Sequence, residues 1–407
     1  MANVPRTLKN IVNLCFLILG HLFPRSSRKI AFGAWDGKSY SDNPKFLFEF
    51  FFDHPEWRIV WVGNGRERES LPPLPPHASF AVRHSLKGMW HALTAGTWVF
   101  SHSPNDISLV AVWGHALLIN TGHGAGPKKV GAACMTCNQN KSVFDAFWRK
   151  IFACKIHLVV TSLLQGENVI AGFPGMFQQP ALPFGSTTLD FILKNKGNLD
   201  LVRRLREKFA KSFNLPLDKK WIVYAPTFRW TTKDNFSFRN LSQAKQDALS
   251  NSLAAQNAII IEKLHPSLIP SEKPCGDSFI YSISGPVAKN MEPHELWLAA
   301  DAIISDYSSC VVPFFLQDKP VIHFVYDYEY YTTKDTGLIA DIDDIRFGSV
   351  AYTFGDLCKA ISDLEASRQK CGRLAPSLIE YEKGTACEQY LEFIKQKKLK
   401  SKCNDLR

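Results

Sequence analysis

The sequence has none of the features that mark a repeat protein, a disordered chain or a membrane-spanning helix. It contains no internal repeat and no low-complexity segment, and no apolar run reaches the roughly 20 residues that a helix needs to cross a bilayer. Hydrophobic residues make up 45% of the chain, which indicates a folded protein. At 407 residues the chain suits two domains better than one core.

Acidic residues are outnumbered by basic ones. The 38 Asp and Glu residues stand against 48 Lys and Arg residues, which gives a formal net charge of +10. This balance favours an anionic partner, such as nucleic acid, anionic lipid or a phosphate-rich substrate. The sequence has no Arg/Lys stripe interleaved with aromatics and no helix-turn-helix, zinc-finger or RNA-binding signature. We therefore expect no nucleic-acid partner.

The cysteines give little sign of a disulfide framework or a metal site. All ten are scattered, and several lie inside apolar runs, where a free thiol behaves as a small hydrophobe. Cys134 and Cys137 form a lone CxxC, whereas a zinc site needs four ligands at workable spacing. We expect free thiols in a reducing cytoplasm, no metal and no cofactor.

The N-terminal apolar run, residues 11–23, is too short to span a membrane, and no small-residue cleavage site follows it. It is flanked by basic residues, namely Arg6, Lys9, Arg25, Arg28 and Lys29. This pattern predicts a membrane-associating interfacial helix within residues 1–28. The alternative is a helix packed on the protein's own body. The basic tail, residues 391–407, either adds attraction to an anionic surface or is simply solvated.

Short apolar segments alternate with helical patterns from about residue 29 onward. Largely apolar strands followed by a polar loop and a helix are typical of parallel sheets covered on both faces. A charged helical stretch at residues 199–213 separates two such series. We therefore predict an α/β fold with two Rossmann-like domains, residues 29–194 and 195–390. The predicted strands are residues 29–32, 58–62, 97–101, 116–120, 156–161, 221–225, 258–262, 279–282, 302–305 and 321–324.

Ligands bind beyond the carboxyl ends of the strands in such sheets. After one predicted strand the chain reads NTGHGAGPKK, in which glycines leave the backbone open and Lys128 supplies charge for a phosphate. His123 in this loop could accept a proton from an attacking hydroxyl, or it could be a surface histidine in a turn. After another strand the chain reads SDYSS, which would place Ser308 and Ser309 at a helix start that binds phosphate, caps the helix, or does both.

Two further strand ends carry polar residues. The segment YAPTFR offers the hydroxyl of Thr227 and the guanidinium of Arg229, although Pro and Thr at such turns often have a structural reason. The segment KLHP places His265 before a proline, which favours an extended backbone aimed out of the sheet edge. Taken alone, a histidine at that position is more often structural.

With these segments in order, the chain resembles the CDP-glycerol glycerophosphotransferase family of teichoic-acid and capsule synthesis. The resemblance rests on HGAGPKK, YAPTFR, KLHP, SDYSS with YDYEYY downstream, and AFGAWDGKSYSDNPKFLFEFF near the N-terminus. It implies a GT-B-like fold of two facing domains with a cleft between them. It also implies a CDP-alditol donor held mainly by the C-terminal domain, a lipid-linked glycan acceptor, and peripheral association with the cytoplasmic face of a bacterial membrane.

The resemblance also implies residue roles. His123 matches a proposed general base, and His265 a second essential histidine at the donor phosphates. The remaining matches are donor contacts, namely Gly124, Ala125, Gly126, Pro127, Lys128, Thr227, Phe228, Arg229, Lys263, Leu264, Ser308 and Ser309. Two positions depart from the family pattern, because Thr188 stands where the family has arginine and Pro313 where it usually has an acidic residue. CDP-ribitol transfer, sugar-nucleotide glycosyl transfer and a degenerate membrane scaffold remain as alternatives.

Overall fold

Two parallel β-sheets, each flanked by helices, form the framework of the protein. The computed structural model describes residues 6–110, 112–124, 126–134, 155–229, 236–264, 279–283, 288, 291–368 and 370–404. The predicted residues Cys137, Ala125 and His265 lie outside the described residues.

The first sheet has seven strands in the order β3-β2-β1-β4-β5-β6-β7, and all pair in parallel. The chain leaves the centre of this sheet in one direction and then returns to β4 beside β1, which makes a topological switch point there. The elements are α1 (Arg6–Leu22), β1 (Ser26–Gly33), α2 (Asp42–Phe50), β2 (Arg58–Gly63), β3 (Ala78–Val82), α3 (Leu86–Thr94), β4 (Ala95–Phe100), β5 (Leu117–Asn120), β6 (Ile156–Val159), α4 (Leu163–Gly172) and β7 (Phe177–Leu182).

The second sheet has six parallel strands in the order β10-β9-β8-β11-β12-β13, with its switch point between β8 and β11. Its elements are α5 (Thr187–Lys194), α6 (Leu199–Phe213), β8 (Lys220–Tyr224), α7 (Gln243–Ala255), β9 (Ala258–Glu262), β10 (Ile280–Ser282), α8 (Pro293–Ala299), β11 (Ala302–Ser305), α9 (Val312–Leu316), β12 (Val321–Phe324), α10 (Tyr328–Lys334), α11 (Ile342–Ile345), β13 (Ser349–Ala351), α12 (Phe354–Ser362) and α13 (Ala386–Asn404).

Every strand that the sequence predicted is present, and the α/β architecture of two parallel sheets is confirmed. The strands β3, β7 and β13 were missed, and each lies at the edge of its sheet. An edge strand is covered less completely than a central one, so it lacks the continuous apolar run on which the prediction relied. β11, in contrast, is buried along its whole length.

The predicted helix at residues 199–213 is confirmed as α6. The side chain of Asn198 caps its start by accepting a hydrogen bond from the backbone N–H of Leu201, and Asn214 ends it in the left-handed conformation at φ 53°. The predicted domain boundary near residues 192–196 covers the end of α5 and the start of the link to α6. α5 itself packs against both α2 and α8, so it is shared by the two halves.

The predicted division at residue 390 does not describe the packing. α13 begins at Ala386, and its residues Tyr390 and Ile394 are fully buried in the core of the first sheet, together with Phe32 and Phe48. The chain therefore returns from the second sheet to close the core of the first. Part of the segment predicted as a basic tail is an ordered helix that packs on the protein.

α1 shows both environments that the N-terminal sequence allowed. Leu17 is 8% exposed and packs into the core of the first sheet, whereas Leu14, Ile18 and Leu22 are 41%, 55% and 77% exposed. Among the described residues, no helix combines the length and apolar character required to cross a membrane. The association of α1 with a membrane surface stays a prediction.

Candidate active site between the two sheets

The loop after β5 is held in place from two sides. Asn120 accepts a hydrogen bond from the N–H of Gly122 at 2.8 Å, and the side-chain amide of Asn43 donates to the carbonyls of Thr121 and Gly122, each at 3.2 Å. Gly122 has φ +63°, a conformation that glycine adopts without steric cost. The sequence therefore builds a fixed loop that carries His123 at the carboxyl edge of the first sheet.

This loop meets the second domain directly. A Cβ atom placed on Gly124, whose φ is +152°, would lie 2.6 Å from Oγ of Ser309, so only glycine allows the approach. Further along, the N–H of Lys129 donates to the carbonyl of Gly337 at 3.1 Å, and the N–H of Ile339 donates to the carbonyl of Pro127 at 3.0 Å. The predicted loop and the predicted helix start are thus brought together across the two domains.

His123 lies in a stack of aromatic rings. Its ring is parallel to that of His102, with centroids 4.1 Å apart and planes at 9°, and the indole of Trp35 lies 6.0 Å away. The ring is open to solvent, but protein atoms replace much of the water around it. Burial lowers the pKa of His123 to about 3, and the neighbouring His102 and Lys128 lower it further. The imidazole is therefore neutral near pH 7 and able to accept a proton.

Asp106 organises the residues that support this stack. Its carboxylate accepts hydrogen bonds from the N–H groups of Ser101, His102 and Asp36 at 3.0, 2.9 and 2.8 Å. It is fully buried, and the Ser101 hydroxyl also bonds Nδ1 of His102 at 2.7 Å. One buried carboxylate thus fixes the turn after β1 and the turn after β4 together.

The segment after β11 begins with Ser308. Its hydroxyl accepts a hydrogen bond from the N–H of Cys310 at 3.4 Å and caps a short helical turn, Ser309–Val311, that continues into α9. Ser309 is the residue that faces Gly124 of the opposite domain. Backbone N–H groups at such a start favour an anion beside it.

The structure gives Arg229 a different place from the one that the sequence predicted. Its guanidinium donates to Asp306 at 2.8 Å, to Asp327 at 2.7 Å and to the carbonyl of Thr227 at 2.6 Å, and it is only 1% exposed. Burial opposes the charge, but the two carboxylates outweigh it and raise the pKa of Arg229. In this geometry the guanidinium holds the loop that carries Asp306, so direct contact with a donor phosphate is not supported.

Other predicted residues lie around the same gap. The Thr227 N–H donates to Asp306 at 2.8 Å, and its buried hydroxyl has no hydrogen-bond partner among the described residues. Burial lowers the pKa of Lys128, which lies near Asp306 and Cys310, and burial also lowers the pKa of Lys263, which lies near Cys310. The side chains of Lys128 and Ser309 both approach Gly126, so Lys128 lies close to the helix start.

Three other predicted donor contacts have no defined role in this geometry. Leu264 packs against the core of the second sheet, and Phe228 is half-buried. Gly126 lies next to Ser309, because a Cβ there would be 3.5 Å from Cβ of Ser309. The donor contacts predicted for these residues stay predictions.

The two departures from the family pattern occupy structural positions. The N–H of Thr188 donates to Oδ1 of Asn43 at 3.0 Å, and the Thr188 hydroxyl pairs with that of Ser186 at 2.7 Å. This buried network ties the start of α5 to the residue that holds the Gly122 loop. Pro313 is buried in the first turn of α9, where its missing N–H costs nothing.

Sequence reasoning missed Asn43, Trp35, His102 and Asp106. A signal existed for His102, because it directly follows the strand end at β4, where functional residues were expected. Asn43 and Trp35 lie in the segment AFGAWDGKSYSDNP, which contributes to the family resemblance but has no local pattern that marks either residue. Among the described residues, no three His, Cys, Asp or Glu side chains are grouped as a metal ion would require.

Comparison with known protein families matches residues 16–396 to the family described as CDP-Glycerol:Poly(glycerophosphate) glycerophosphotransferase. The chain belongs to this family. The predicted family is thereby confirmed, and the protein is an enzyme of the CDP-glycerol glycerophosphotransferase class.

Relatives with established roles agree with this assignment. The chain is 24% identical to the teichoic acid poly(glycerol phosphate) polymerase of Bacillus spizizenii over 89% of its own length and 90% of the relative. It is 28% identical to the teichoic acid glycerol-phosphate primase of the same organism, over 74% and 72% of the two chains. A solved variant of the wall teichoic acid polymerase TagF, soaked with CDPG, has a TM-score of 0.74 at 20% identity, with 97% of each chain covered. The last likeness concerns the fold.

Proposed function

We propose that the enzyme transfers glycerol phosphate from CDP-glycerol to a hydroxyl of a membrane lipid-linked glycan or growing polymer, and releases CMP. The polymer would be of the teichoic-acid or capsular kind. The observation that carries the proposal is the contact between the His123 loop and the Ser309 helix start, because it supports a neutral base acting beside an anion held at that helix start. The family description and the TagF variant soaked with CDPG support the donor.

The proposed reaction is a displacement at the phosphorus that bears glycerol. The acceptor oxygen forms a new bond to this phosphorus, and the bond between phosphorus and the bridging oxygen of the diphosphate breaks. The electron pair of the broken bond leaves with CMP. The hydroxyl proton passes to His123, through the ring nitrogen that does not bond the Ser101 backbone.

Positive and dipolar groups would offset the charge on the phosphates during this step. Lys128 and Lys263 both interact electrostatically with Cys310, and the turn beginning at Ser309 would offer its backbone N–H groups to the same phosphates. Groups fixed in this way stabilise developing charge without reorganising. His265 is proposed for the donor phosphates on the resemblance alone.

We further propose that the protein lies on the cytoplasmic face of the membrane. The exposed apolar side chains of α1, Leu14, Ile18 and Leu22, could enter the headgroup region. The exposed indole of Trp90 is an edge-on neighbour of Phe23 and extends this apolar surface. A surface of this kind would bring the active site to a lipid-linked acceptor.

The proposal is tested by incubating the enzyme with lipid-linked glycans and either CDP-glycerol or CDP-ribitol. We expect CMP release and a product mass increase of one or more glycerol phosphate units with CDP-glycerol. Equal or greater transfer from CDP-ribitol would contradict CDP-glycerol as the preferred donor. Absence of CMP release with either donor and membranes would contradict the transferase proposal.

Gly124→Ala should raise the KM for CDP-glycerol with little change in the free energy of unfolding of either domain core. The added Cβ would meet Oγ of Ser309 at 2.6 Å, and relief of this clash would move apart the loop and the turn that are proposed to contact the diphosphate. Steady-state kinetics measure the effect. Gly175→Ala is a matched control, because Gly175 also has positive φ (+77°) but no atom lies within 4 Å of its built Cβ. An equal rise in KM for both variants would contradict the role of the close approach.

The pH dependence of kcat/KM should show that His123 is neutral in the free enzyme. Because burial lowers the pKa of His123 from 6.5, the imidazole remains unprotonated as the pH falls through 6.5. We therefore expect kcat/KM to stay level across that value. Bound phosphates favour the imidazolium, so kcat should fall at a higher pH than kcat/KM does. A kcat/KM profile that drops with a midpoint at or above 6.5 would contradict this environment.

A further inference from the structure

Trp35 is a large aromatic residue on the surface of the candidate site. Its side chain is 43% exposed, whereas Trp61, Trp98 and Trp221 are fully buried in the two cores. It follows β1 directly, at the switch point of the first sheet. An exposed indole at the position where such sheets bind ligands points to contact with a substrate.

The indole is held by an unusual backbone turn. Trp35 and Asp36 have φ values of 50° and 53°, in the left-handed region that bulky side chains rarely adopt. The N–H of Asp36 donates to Asp106 at 2.8 Å, and the N–H of Trp35 lies 3.4 Å from the Ser101 hydroxyl. Such conformations persist where surrounding structure imposes them, and they cluster at binding and catalytic sites.

The position of the indole relative to His123 defines what it can contact. Its ring packs on His102 with centroids 4.3 Å apart, and the His102 ring stacks in turn on His123. Trp35 belongs to the first domain, whereas the Ser309 turn that is proposed to hold the donor belongs to the second. A molecule lying on the indole would present its hydroxyl groups to the general base.

We infer that Trp35 is a stacking platform for a pyranose ring at the reactive end of the acceptor. One face of a pyranose carries several C–H groups and covers an indole well, and burial of that face excludes water from both surfaces. The exposed carboxylate of Asp36, 3.7 Å from the ammonium group of Lys38, lies next to the indole and can accept hydrogen bonds from sugar hydroxyls. The inference rests on the proposed function, since it names the acceptor of that reaction.

This platform distinguishes two acceptor types. A glycerol phosphate chain is flexible and anionic, and it has no flat carbon face to cover an indole. A sugar-terminated acceptor gains contact area with Trp35, so the structure favours addition to a glycan end over extension of a glycerol phosphate chain.

The test measures, by NMR of the glycan, the equilibrium binding of a short-chain alkyl disaccharide. The wild-type enzyme is compared with Trp35→Ala. We expect binding to weaken by about 10-fold or more, a loss typical of removing one stacking partner. Trp35→Phe should keep most of the affinity. Tyr352→Ala is the matched control, since Tyr352 is an aromatic residue 44% exposed after β13 in the second domain and should leave binding of the disaccharide unchanged.

Binding of CDP-glycerol and of a glycerol phosphate oligomer should be the same in the wild type and in Trp35→Ala. The inference is overturned if the disaccharide binds both proteins equally, if the wild type does not bind it, or if the loss is shared by CDP-glycerol. Trp35→Leu answers the same question if the alanine variant does not fold. Failure of the transferase proposal would be seen separately, as absence of CMP release by the wild type.

Discussion

His123→Ala is expected to lower kcat by about 10²–10⁴-fold, the usual contribution of a general base. The reason is the neutral imidazole on the loop that meets the Ser309 turn, because it would take the hydroxyl proton in the wild-type enzyme. The affinity for CDP-glycerol should change little, because the phosphate-binding groups remain. Stopped-flow or steady-state CMP release with a purified lipid acceptor measures the rate, and titration calorimetry measures donor binding.

His54→Ala is the control for this experiment. His54 follows α2 away from the His123 loop and pairs with Glu56 at 3.6 Å, so its loss should leave turnover unchanged. A near-normal rate for His123→Ala would contradict the role of His123 as general base. A proportional loss of donor affinity would instead make His123 a binding residue.

Arg229→Met is expected to lower the free energy of unfolding by about 3–5 kcal/mol, the cost of leaving buried charges without a partner. The guanidinium is 1% exposed and bridges Asp306 and Asp327, and it lies 4.9 Å from the ring centroid of Tyr331. Methionine fills much of the same space but neutralises neither carboxylate. Chemical denaturation followed by tryptophan fluorescence measures the change.

Two further variants separate this explanation from simple loss of packing. Arg229→Met combined with Asp306→Asn and Asp327→Asn removes the unpaired charges and should recover part of the loss. Arg203→Met breaks an exposed pair with Asp200 on α6 and should cost about 1 kcal/mol or less. If Arg229→Met were no more harmful than Arg203→Met, the buried ion pairs would not stabilise the second domain.

The central strands could be predicted from the sequence because burial on both faces produces a continuous apolar run. A parallel strand covered on both faces must be apolar along its length, and β9 (Ala258–Glu262) and β11 (Ala302–Ser305) were bounded correctly for that reason. The edge strands β3, β7 and β13 carry polar, proline or very short segments. Their pairing depends on a neighbouring strand distant in the sequence, which a local pattern does not show.

The sequence predicted the parts of the site in which glycines and charged residues follow a strand. It did not predict residues whose role depends on partners distant in the sequence. The loop of Gly124 and the turn of Ser309 were both identified, and the structure brings them into contact. Arg229 was predicted to contact a phosphate. Its two carboxylate partners lie 77 and 98 residues further along the chain, so the local sequence did not reveal the buried ion pairs. No local pattern marked Asp106, since its role exists only when two strand ends meet.

The C-terminal helix illustrates a similar limit. Lysines near the end of the chain predicted a solvated or membrane-attracted tail, yet α13 buries Tyr390 and Ile394 against the first sheet. The helix also contributes the N–H of Cys387, which donates to Asp190 of α5 at 3.0 Å. A helix that crosses from one domain back to the other leaves no local mark in its composition.

The most direct test of the central claim is a crystal structure of His123→Ala with CDP-glycerol. The account predicts that the diphosphate contacts both the loop after β5 and the backbone N–H groups of the Ser309 turn, with the glycerol-bearing phosphorus facing position 123 and the indole of Trp35 beyond it. A nucleotide bound elsewhere, or a diphosphate that contacts neither the loop after β5 nor the turn after β11, would contradict it.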